Sequence, residues 1–346
     1  MPTARPIRVA IIGGGLAGLA LANALVRRPN PQDTAPDHPG FDVQVFEAKP
    51  VLSERGAAVG LGQGARIALK YCIPDADDML QRAGAVPQAG TQMMVGSGKH
   101  AGAAIIALGS AVKPISNIDS EPQDKPAPEK EAPNTGGPVV VHRPSLLHGL
   151  KQSLEEGSKA NRTIHTSKRL ASIQIGDGEE VTITFEDGCV DKFDAVIGAD
   201  GYRGAVRSHV LGDKAETQAV LQSGFWDCRN MVSMDVAKEL FYKPLREALR
   251  SRATTAEERA TVDDYFGEGD SFDRHSQWGW AGDTGFVMHD VCENGTKVQC
   301  VIAAVEKTPW KERKYPLTRD FVREHLEGWM DGPVLPAMLD VSPPTK

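Results

Sequence analysis

The residues of this chain that most clearly suggest chemistry are three glycines near its beginning. Gly13, Gly15 and Gly18 have the spacing Gly-x-Gly-x-x-Gly and directly follow the short β-branched run at 9–12. This pattern lets a strand turn tightly into a helix, lets backbone amides approach a pyrophosphate, and lets the helix pack closely on the strand. The helix N-terminus would add unpaired N–H groups and the positive end of its dipole. The spacing therefore predicts a dinucleotide site.

An acidic residue stands where such a site would need one. Residues 41–47 alternate between apolar and polar types and end on Glu47, whose carboxylate would accept hydrogen bonds from a ribose diol. The separation from Gly18 exceeds the usual spacing of about 20 residues, because the proline-rich stretch 28–40 is inserted before this second strand. An acid here argues against a 2′-phosphate in the pocket. The alternative interpretation of Glu47 is a solvated residue at a strand end.

The elements that must position these residues follow from patterning along the chain. Residues 53–64 are too glycine-rich for a regular element, whereas 65–71 have a helical pattern. The stretch 114–138 is rich in Pro, Glu, Asp and Lys and predicts a mobile surface insertion, with an acidic binding tail as the alternative. Further predicted elements are a strand and a helix meeting at Arg143, strands 181–185 and 193–197 around an Asp187-Gly188 turn, a charged helical segment 231–266, short strands over 278–304 with a turn at 293–295, and an amphipathic helix over 319–329.

A second glycine-rich motif, Ala-Val-Ile-Gly-Ala-Asp-Gly-Tyr-Arg-Gly-Ala-Val-Arg, occupies residues 195–207. With the first motif, Glu47 and Arg143, it makes the chain resemble the single-component FAD-dependent aromatic hydroxylases. The nearest resemblance is to salicylate hydroxylases and related fungal FAD monooxygenases. The resemblance implies that Asp200 and Gly201 close over the FAD pyrophosphate and border the path of the nicotinamide. A plain turn is the alternative for these two residues.

The resemblance also assigns three other contacts. It implies that Arg143 contacts the cofactor, to which an arginine can contribute charge-assisted hydrogen bonds, and that the loop from Gly56 to Gly60 wraps its ribityl side. In some relatives the arginine that matches Arg207 holds a phenolate substrate. The alternatives are a surface arginine at position 143 and, at position 207, a helix-start arginine that packs on the FAD domain.

The chain departs from the family pattern in two places. Gly204 replaces the usual serine of the second motif, which removes one hydroxyl. The family also carries a Gly-Asp-Ala-Ala-His-type segment, whose aspartate binds the ribityl chain and whose helix N-terminus faces the flavin ring. The pair Gly282-Asp283 does not supply it, because it lies among strands of the substrate domain. We therefore expect a truncated product or an incomplete FAD site.

The fold class predicted from these observations is α/β. It comprises a Rossmann-like FAD-binding domain of the p-hydroxybenzoate hydroxylase type and a mostly β substrate domain. The predicted boundaries are a first FAD-binding segment at 1–78, a substrate-domain segment with the insertion at 79–138, a second FAD-binding segment at 139–212, the substrate domain at 213–312, and a helix with a truncated C-terminus at 313–346.

Composition narrows the class of partner. The chain has 346 residues and a formal net charge of −7, which favours neither nucleic acid nor an anionic membrane as a partner. We expect no membrane span and no signal peptide. The five cysteines are widely spaced and include no Cys-x-x-Cys pair, so we expect reduced thiols in a cytoplasmic protein and no metal site. Four histidines, at 142, 165, 209 and 289, are expected to be structural, and Trp278 and Trp280 are expected to form an aromatic pair in the core of a sheet.

Three functional hypotheses remain. The first is an FAD-dependent monooxygenase that hydroxylates a phenolic or aromatic acid substrate with NAD(P)H and O2. In such an enzyme the cofactor carries the chemistry and the protein supplies position, dryness and charge. The second is a non-catalytic remnant with weak or no FAD binding. The third is an NAD-dependent dehydrogenase that uses only the first motif, against which the second motif and Arg143 both count.

Overall fold

The structure is a computed structural model that describes most of the chain. The described residues are 5–26, 40–53, 56–108, 137–156, 162–176, 180–219, 221, 223–268, 272–306 and 318–341. Most of the proline-rich stretch 28–40 and most of the stretch 114–138 lie outside these ranges. The predicted mobile insertion therefore stays a prediction.

The chain divides into two compact units, each assembled from separate segments. Unit 1 comprises residues 1–55, 64–83 and 143–221, and unit 2 comprises residues 56–63, 84–142 and 222–346. The five-segment domain assignment made from the sequence stays a prediction.

The described residues of unit 1 form two sheets and five α-helices. Its strands are β1 (Ile7–Ile12), β2 (Phe41–Phe46), β8 (Arg162–His165), β9 (Leu170–Ile175), β10 (Val181–Phe185), β11 (Val190–Phe193) and β12 (Ala195–Gly198). Its helices are α1 (Leu16–Val26), α2 (Gln63–Cys72), α3 (Ala76–Arg82), α4 (Arg143–Glu156) and α5 (Ala205–Leu211). The predicted strand before the first glycine, the helix after it and the helix over 65–71 are thus confirmed.

The larger sheet of unit 1 is parallel, with the strand order β12, β1, β2, β8. Strand β1 lies between two neighbours, and its last four residues are buried, as a continuous β-branched run in a parallel sheet predicts. A separate antiparallel sheet has the order β11, β10, β9. Its Phe185 and Phe193 pack against Phe46 of β2. The two sheets therefore share one hydrophobic core.

The predicted partner of the strand at 181–185 was wrong in one respect. Strand β10 pairs across the Asp187-Gly188 turn with residues 190–193, whereas residues 195–198 join β1 in the other sheet. The chain changes sheets at Asp194, whose backbone N–H donates to the carbonyl of Arg8. The carboxylate of Asp194 accepts hydrogen bonds from Arg5 and from the N–H of Arg8, which lower its pKa to about 2. These contacts fix the start of β12 beside β1.

Unit 2 is built mainly of strands, which confirms the largely β second domain. Its strands are β3 (Ala58–Leu61), β4 (Val86–Pro87), β5 (Gly90–Val95), β6 (Ala104–Leu108), β7 (Val139–His142), β13 (Phe225–Ser233), β14 (Ser276–Gly282), β15 (Gly285–Cys292) and β16 (Lys297–Val305). Its helices are α6 (Met234–Ala237), a π-helical turn (Lys238–Tyr242), α7 (Lys243–Arg252), α8 (Ala256–Phe266), α9 (Arg319–His325) and α10 (Val334–Val341). One sheet has the order β13, β16, β15, β14, β5, β6, and a second has the order β3, β7, β4.

Several local predictions in unit 2 need correction. The stretch 53–64 does contain a regular element, because residues 58–61 pair antiparallel with β7. Residues 231–233 end strand β13 and are not helical, since they pair with β16. The α-helix predicted over 319–329 ends at His325 and continues as a short 3-10 turn over 327–329. Helix α10 was not predicted from the sequence, although six of its eight residues are buried.

The core of unit 2 is aromatic. Trp278 and Trp280 lie on β14 with exposures of 2% and 0%, so the prediction that they form a pair in the core of a sheet is confirmed. His289 of β15 stacks near both rings and is fully buried. Helices α7, α8 and α10 contribute apolar residues to the same core. This packing covers one face of the six-stranded sheet.

Candidate dinucleotide site

The central geometric feature of unit 1 is the alignment of three strand ends. Ile12, the last residue of β1, lies opposite Phe46 of β2 and opposite Gly198 of β12. Because the three strands are parallel, the segments that follow them leave the same edge of the sheet at the same level. Ligands of open parallel sheets bind outside this carboxyl edge. The glycine turn, Glu47 and the Asp200 loop therefore meet there.

The glycine turn is packed closely against the loop after β12. Gly13 has a φ of +115°, and a Cβ at this position would lie 2.3 Å from the carbonyl oxygen of Ala199. A Cβ at Gly18 would lie 1.9 Å from the carbonyl oxygen of Gly13. Gly15 is half-buried, and its carbonyl accepts the first bond of α1, from the N–H of Leu19. The close approaches at positions 13 and 18 are possible only for a residue without a side chain. The turn leads directly into the start of α1.

Glu47 is held at the same edge by the backbone around it. Its Oε2 accepts a hydrogen bond from the N–H of Gly14 at 3.0 Å, and its Oε1 accepts from the N–H of Lys49 at 2.9 Å. A carboxylate can accept about four hydrogen bonds. Among the described residues, these two bonds use two of the acceptor positions, and the backbone contacts fix the orientation of the group.

Asp200 closes the other side of the edge. Its Oδ2 accepts a hydrogen bond from the N–H of Val206 at 3.2 Å, at the start of α5. A Cβ at Gly204 would lie 2.0 Å from Asp200 Oδ1, so the glycine that replaces the family's serine leaves the space that this carboxylate occupies. Gly201 has a φ of +87° and would place no Cβ within 4 Å of another atom. The second motif thus forms an open turn beside the first.

A cavity of about 660 Å³ adjoins this edge within unit 1. Its volume is within the usual range for a small-molecule site. Leu52 lies in the wall of the cavity and also contacts the glycine turn, because a Cβ at Gly14 would meet its Cδ2 at 2.4 Å. The lining residues are Pro50, Val51, Leu52, Ser53, Pro144, Leu147, His148, Lys151, Glu155, Ile164 and Thr166.

Sequence reasoning missed this cavity. It lies between the turn after Glu47, one face of α4 from Pro144 to Glu155, and the end of β8. Arg143 is the half-buried first residue of α4, at the strand–helix junction predicted for it. The run of four residues that forms β8 has no apolar alternation that would mark it as a strand of this sheet. Its pairing with β2 is the signal that would have located the cavity.

Two further residues of the predicted set lie on regular elements. Arg207 lies on α5, and its guanidinium donates to the carbonyl oxygen of Gln218 within unit 1. Gly60 lies in strand β3 of unit 2, where a Cβ would meet no atom within 4 Å. Within unit 1, the edge described above brings together the glycine turn, Glu47, Asp200 and Gly201. The roles expected of Arg207 and Gly60 stay predictions.

Unit 2 holds buried titratable groups that the sequence did not single out as functional. Desolvation lowers the pKa of His289 to about 3 and raises that of Asp290 to about 6. Among the described residues, no group of three or more His, Cys, Asp or Glu side chains could hold a metal ion. Within the same residues, none of the helices has the length and apolar character that crossing a bilayer requires.

Comparison with solved structures defines the class of fold. CtdE, solved in complex with FAD, superposes with a TM-score of 0.64 over 98% of this chain and 70% of its own length, at 15% identity. The fold class predicted from the sequence is confirmed by this likeness and by the parallel sheet and largely β second unit. No family model matches the chain.

Sequence relatives agree with this class. The chain is 27% identical over 338 residues to a 6-methylsalicylate 1-monooxygenase of Aspergillus terreus, covering 94% of this chain and 61% of the relative. It is 30% identical over 205 residues to a salicylate hydroxylase of Pseudomonas putida, covering 59% of this chain and 38% of the relative. The chain thus resembles the salicylate hydroxylase-like FAD monooxygenases, as its motifs predicted, and spans about three-fifths of the length of the first of these relatives.

Proposed function

We propose that the chain binds FAD and belongs to an enzyme that hydroxylates a phenolic or aromatic acid substrate with NAD(P)H and O2. The observation that supports this most directly is the shared edge of three aligned strands, where the glycine turn, Glu47 and Asp200 meet. Relatives named as monooxygenases of 6-methylsalicylate and salicylate support the choice of an aromatic acid.

The residues of this edge fit an adenosine diphosphate group. The glycine turn brings the start of α1 to the edge, and backbone N–H groups at a helix start bind phosphate. Among the described residues, the Glu47 carboxylate has two acceptor positions left after its bonds to backbone N–H groups. The adjoining cavity of about 660 Å³ contains both apolar and charged residues and could take the base.

In this proposal the chain positions the cofactor and does not itself carry the oxidation. FAD would supply the redox chemistry that links NAD(P)H and O2 to hydroxylation of the ring. The N–H groups at the start of α1 would bind the pyrophosphate, and Glu47 would orient the ribose. We propose that Arg143 contributes positive charge toward the phosphates, and that Asp200 and Gly201 cover them. For Arg207 we retain a contact to a phenolate substrate as a proposal.

Replacing Gly15 with valine tests the cofactor site. The added side chain would block the approach of the pyrophosphate to the backbone, while the strand and the helix on either side can still form. Losing one charge-assisted hydrogen bond costs about 1.5–3 kcal/mol, so we expect FAD affinity to fall about 10- to 100-fold. Quenching of flavin fluorescence measures the affinity, and circular dichroism checks the fold.

The matched control is Gly176→Val, which adds the same side chain to an exposed position of unit 1 after β9. Native FAD affinity in the Gly15 variant would exclude the site. Binding of NAD in place of FAD would favour a dehydrogenase. Tight FAD binding without NAD(P)H oxidation stimulated by any aromatic acid would favour a non-catalytic flavin-binding protein.

A further inference from the structure

Three polar side chains form a row across the six-stranded sheet of unit 2. Gln277, Asp290 and Gln299 lie on the adjacent strands β14, β15 and β16, and Asp290 is directly opposite Gln299. Asp290 and Gln299 are each only 2% exposed. Residues alternate between the faces of a strand, so Asp290 lies on the face opposite to that of its neighbour His289. This row is separate from the aromatic core.

The hydrogen bonds of the row have a defined direction. Gln277 Nε2 donates to Asp290 Oδ2 at 3.2 Å, and Gln299 Nε2 donates to Asp290 Oδ1 at 3.5 Å. The other end of the Gln299 amide, Oε1, accepts from the backbone N–H of Ala58 at 2.6 Å. Both amides thus present their donors to the carboxylate, an arrangement that suits the ionised form of Asp290.

Ala58 is the first residue of β3, the strand that carries Gly60. Strand β3 pairs only with β7 in its sheet. The bond from Ala58 to Gln299 therefore links the start of this short strand to the larger sheet. The orientation of one buried amide decides whether that link exists.

Protonation of Asp290 changes which groups the two glutamine amides must present to it. A neutral carboxyl has one O–H donor, which must meet an acceptor, so one of the two glutamine amides has to turn its oxygen toward it. If Gln299 turns, its NH2 group faces the N–H of Ala58, and two donors meet. Arg229 of β13 favours the ionised carboxylate, and burial opposes it. Among the described residues, the other titratable groups that interact with Asp290 are Tyr242, Cys292 and Cys300. Burial raises the pKa of each, so all three are neutral near pH 7. On the strand beside β3, His142 lies opposite Ala58 and pairs with Glu293.

We propose that Asp290 is a positioning residue that, through Gln299, anchors strand β3 when ionised and releases it when protonated. The affected segment, residues 56–60, is the one that the family resemblance assigns to the cofactor. In that respect alone the inference rests on the proposed function. The proposed role of Asp290 predicts that acidification loosens residues 56–60 and weakens the binding of flavin.

Hydrogen–deuterium exchange of the β3 amides, corrected for the intrinsic effect of pH, tests the anchor without any cofactor. We expect the protection of β3 in the unaltered protein to fall about 2- to 10-fold between pH 7 and pH 5, as the loss of one hydrogen bond implies. Asp290→Asn should show the lower protection at both pH values, and so should Gln299→Leu. Asp263→Asn, a change on α8 in the same unit, is the control and should keep the response of the unaltered protein.

The protection of β15 and β16 reports whether each variant is folded. Native β3 protection in Asp290→Asn, or a pH-independent value in the unaltered protein, would overturn the anchor. FAD titrations of the same proteins test the link to the cofactor. If β3 responds and flavin affinity does not differ between Asp290→Asn and the control, the link is wrong. If no protein binds FAD while β3 responds, only the proposed function fails.

Discussion

An alanine at position 18 is expected to destabilise the protein substantially. Its Cβ would lie 1.9 Å from the carbonyl oxygen of Gly13, which is a backbone atom and cannot rotate away as a side chain would. The helix α1 must therefore move away from the turn. Overpacking of this kind costs about 1–3 kcal/mol, which corresponds to a fall in Tm of about 2–4 °C per kcal/mol for units of this size. Urea unfolding and thermal melts of the Gly18→Ala variant measure the loss.

Gly64 offers a matched control for this change. It lies in helix α2, and a Cβ at this position would meet no atom within 4 Å. Alanine should therefore be neutral or stabilise the helix by up to about 1 kcal/mol. Equal effects of Gly18→Ala and Gly64→Ala on the free energy of unfolding would contradict the close approach of α1 to the turn.

The second large effect concerns two neighbouring residues with opposite responses to acid. His289 has a folded pKa of about 3 against 6.5 when exposed, so the unfolded chain binds the proton first and stability falls as the pH drops below 6.5. Asp290 has a folded pKa of about 6 against 3.8, so the folded chain binds the proton first and stability rises as the pH drops from 6. The two effects largely offset each other in the unaltered protein.

Removing either group should expose the effect of the other. Between pH 6.5 and pH 4.5 each pKa difference contributes about 1.4 kcal/mol per pH unit. As the pH falls from 6.5 to 4.5, the free energy of unfolding of His289→Phe should rise by about 2 kcal/mol or more relative to that of the unaltered protein. Over the same interval, the free energy of unfolding of Asp290→Asn should fall by about 2 kcal/mol relative to that of the unaltered protein. Urea titrations at several pH values measure these slopes.

The sign of the slope is the deciding result, since both variants can change the stability at neutral pH. Parallel pH profiles for the two variants would show that neither group keeps its shifted pKa in the folded protein. His165 also has a lowered pKa. Its contribution is common to all three proteins and cancels in the comparison.

Local patterns predicted the parts of the fold that depend on neighbours in sequence. The run at 9–12 followed by the glycines predicted both β1 and α1, because a buried β-branched strand and an alanine-rich helix are visible within a few residues. The junction at Arg143 was predicted for the same reason. Glu47 was placed directly after the second strand from the alternation of apolar and polar residues over 41–45.

Elements that form only by pairing with distant segments could not be predicted from local patterns. Strand β3 contains glycine and is only four residues long, and it exists because three valines of β7 pair with it from far along the chain. The hairpin after β10 was assigned to the wrong partner, because residues 190–193 and 195–198 are both short β-like runs and only the contacts of Asp194 separate them. The cavity beside Glu47 and the row through Asp290 likewise depend on pairings between strands that no single segment encodes.

The pairing of β1 with β12 also constrains when the edge that joins the glycine turn, Glu47 and Asp200 can form. Residue 9 pairs with residue 195, and segments of unit 2 separate these strands along the chain. Closing so long a loop costs entropy before the contact is made, and folds dominated by such pairings form slowly. During synthesis the glycine turn and Glu47 are made before Asp200, which lies more than 100 residues further along the chain. The edge with the Asp200 loop beside the glycine turn is therefore a late product of folding.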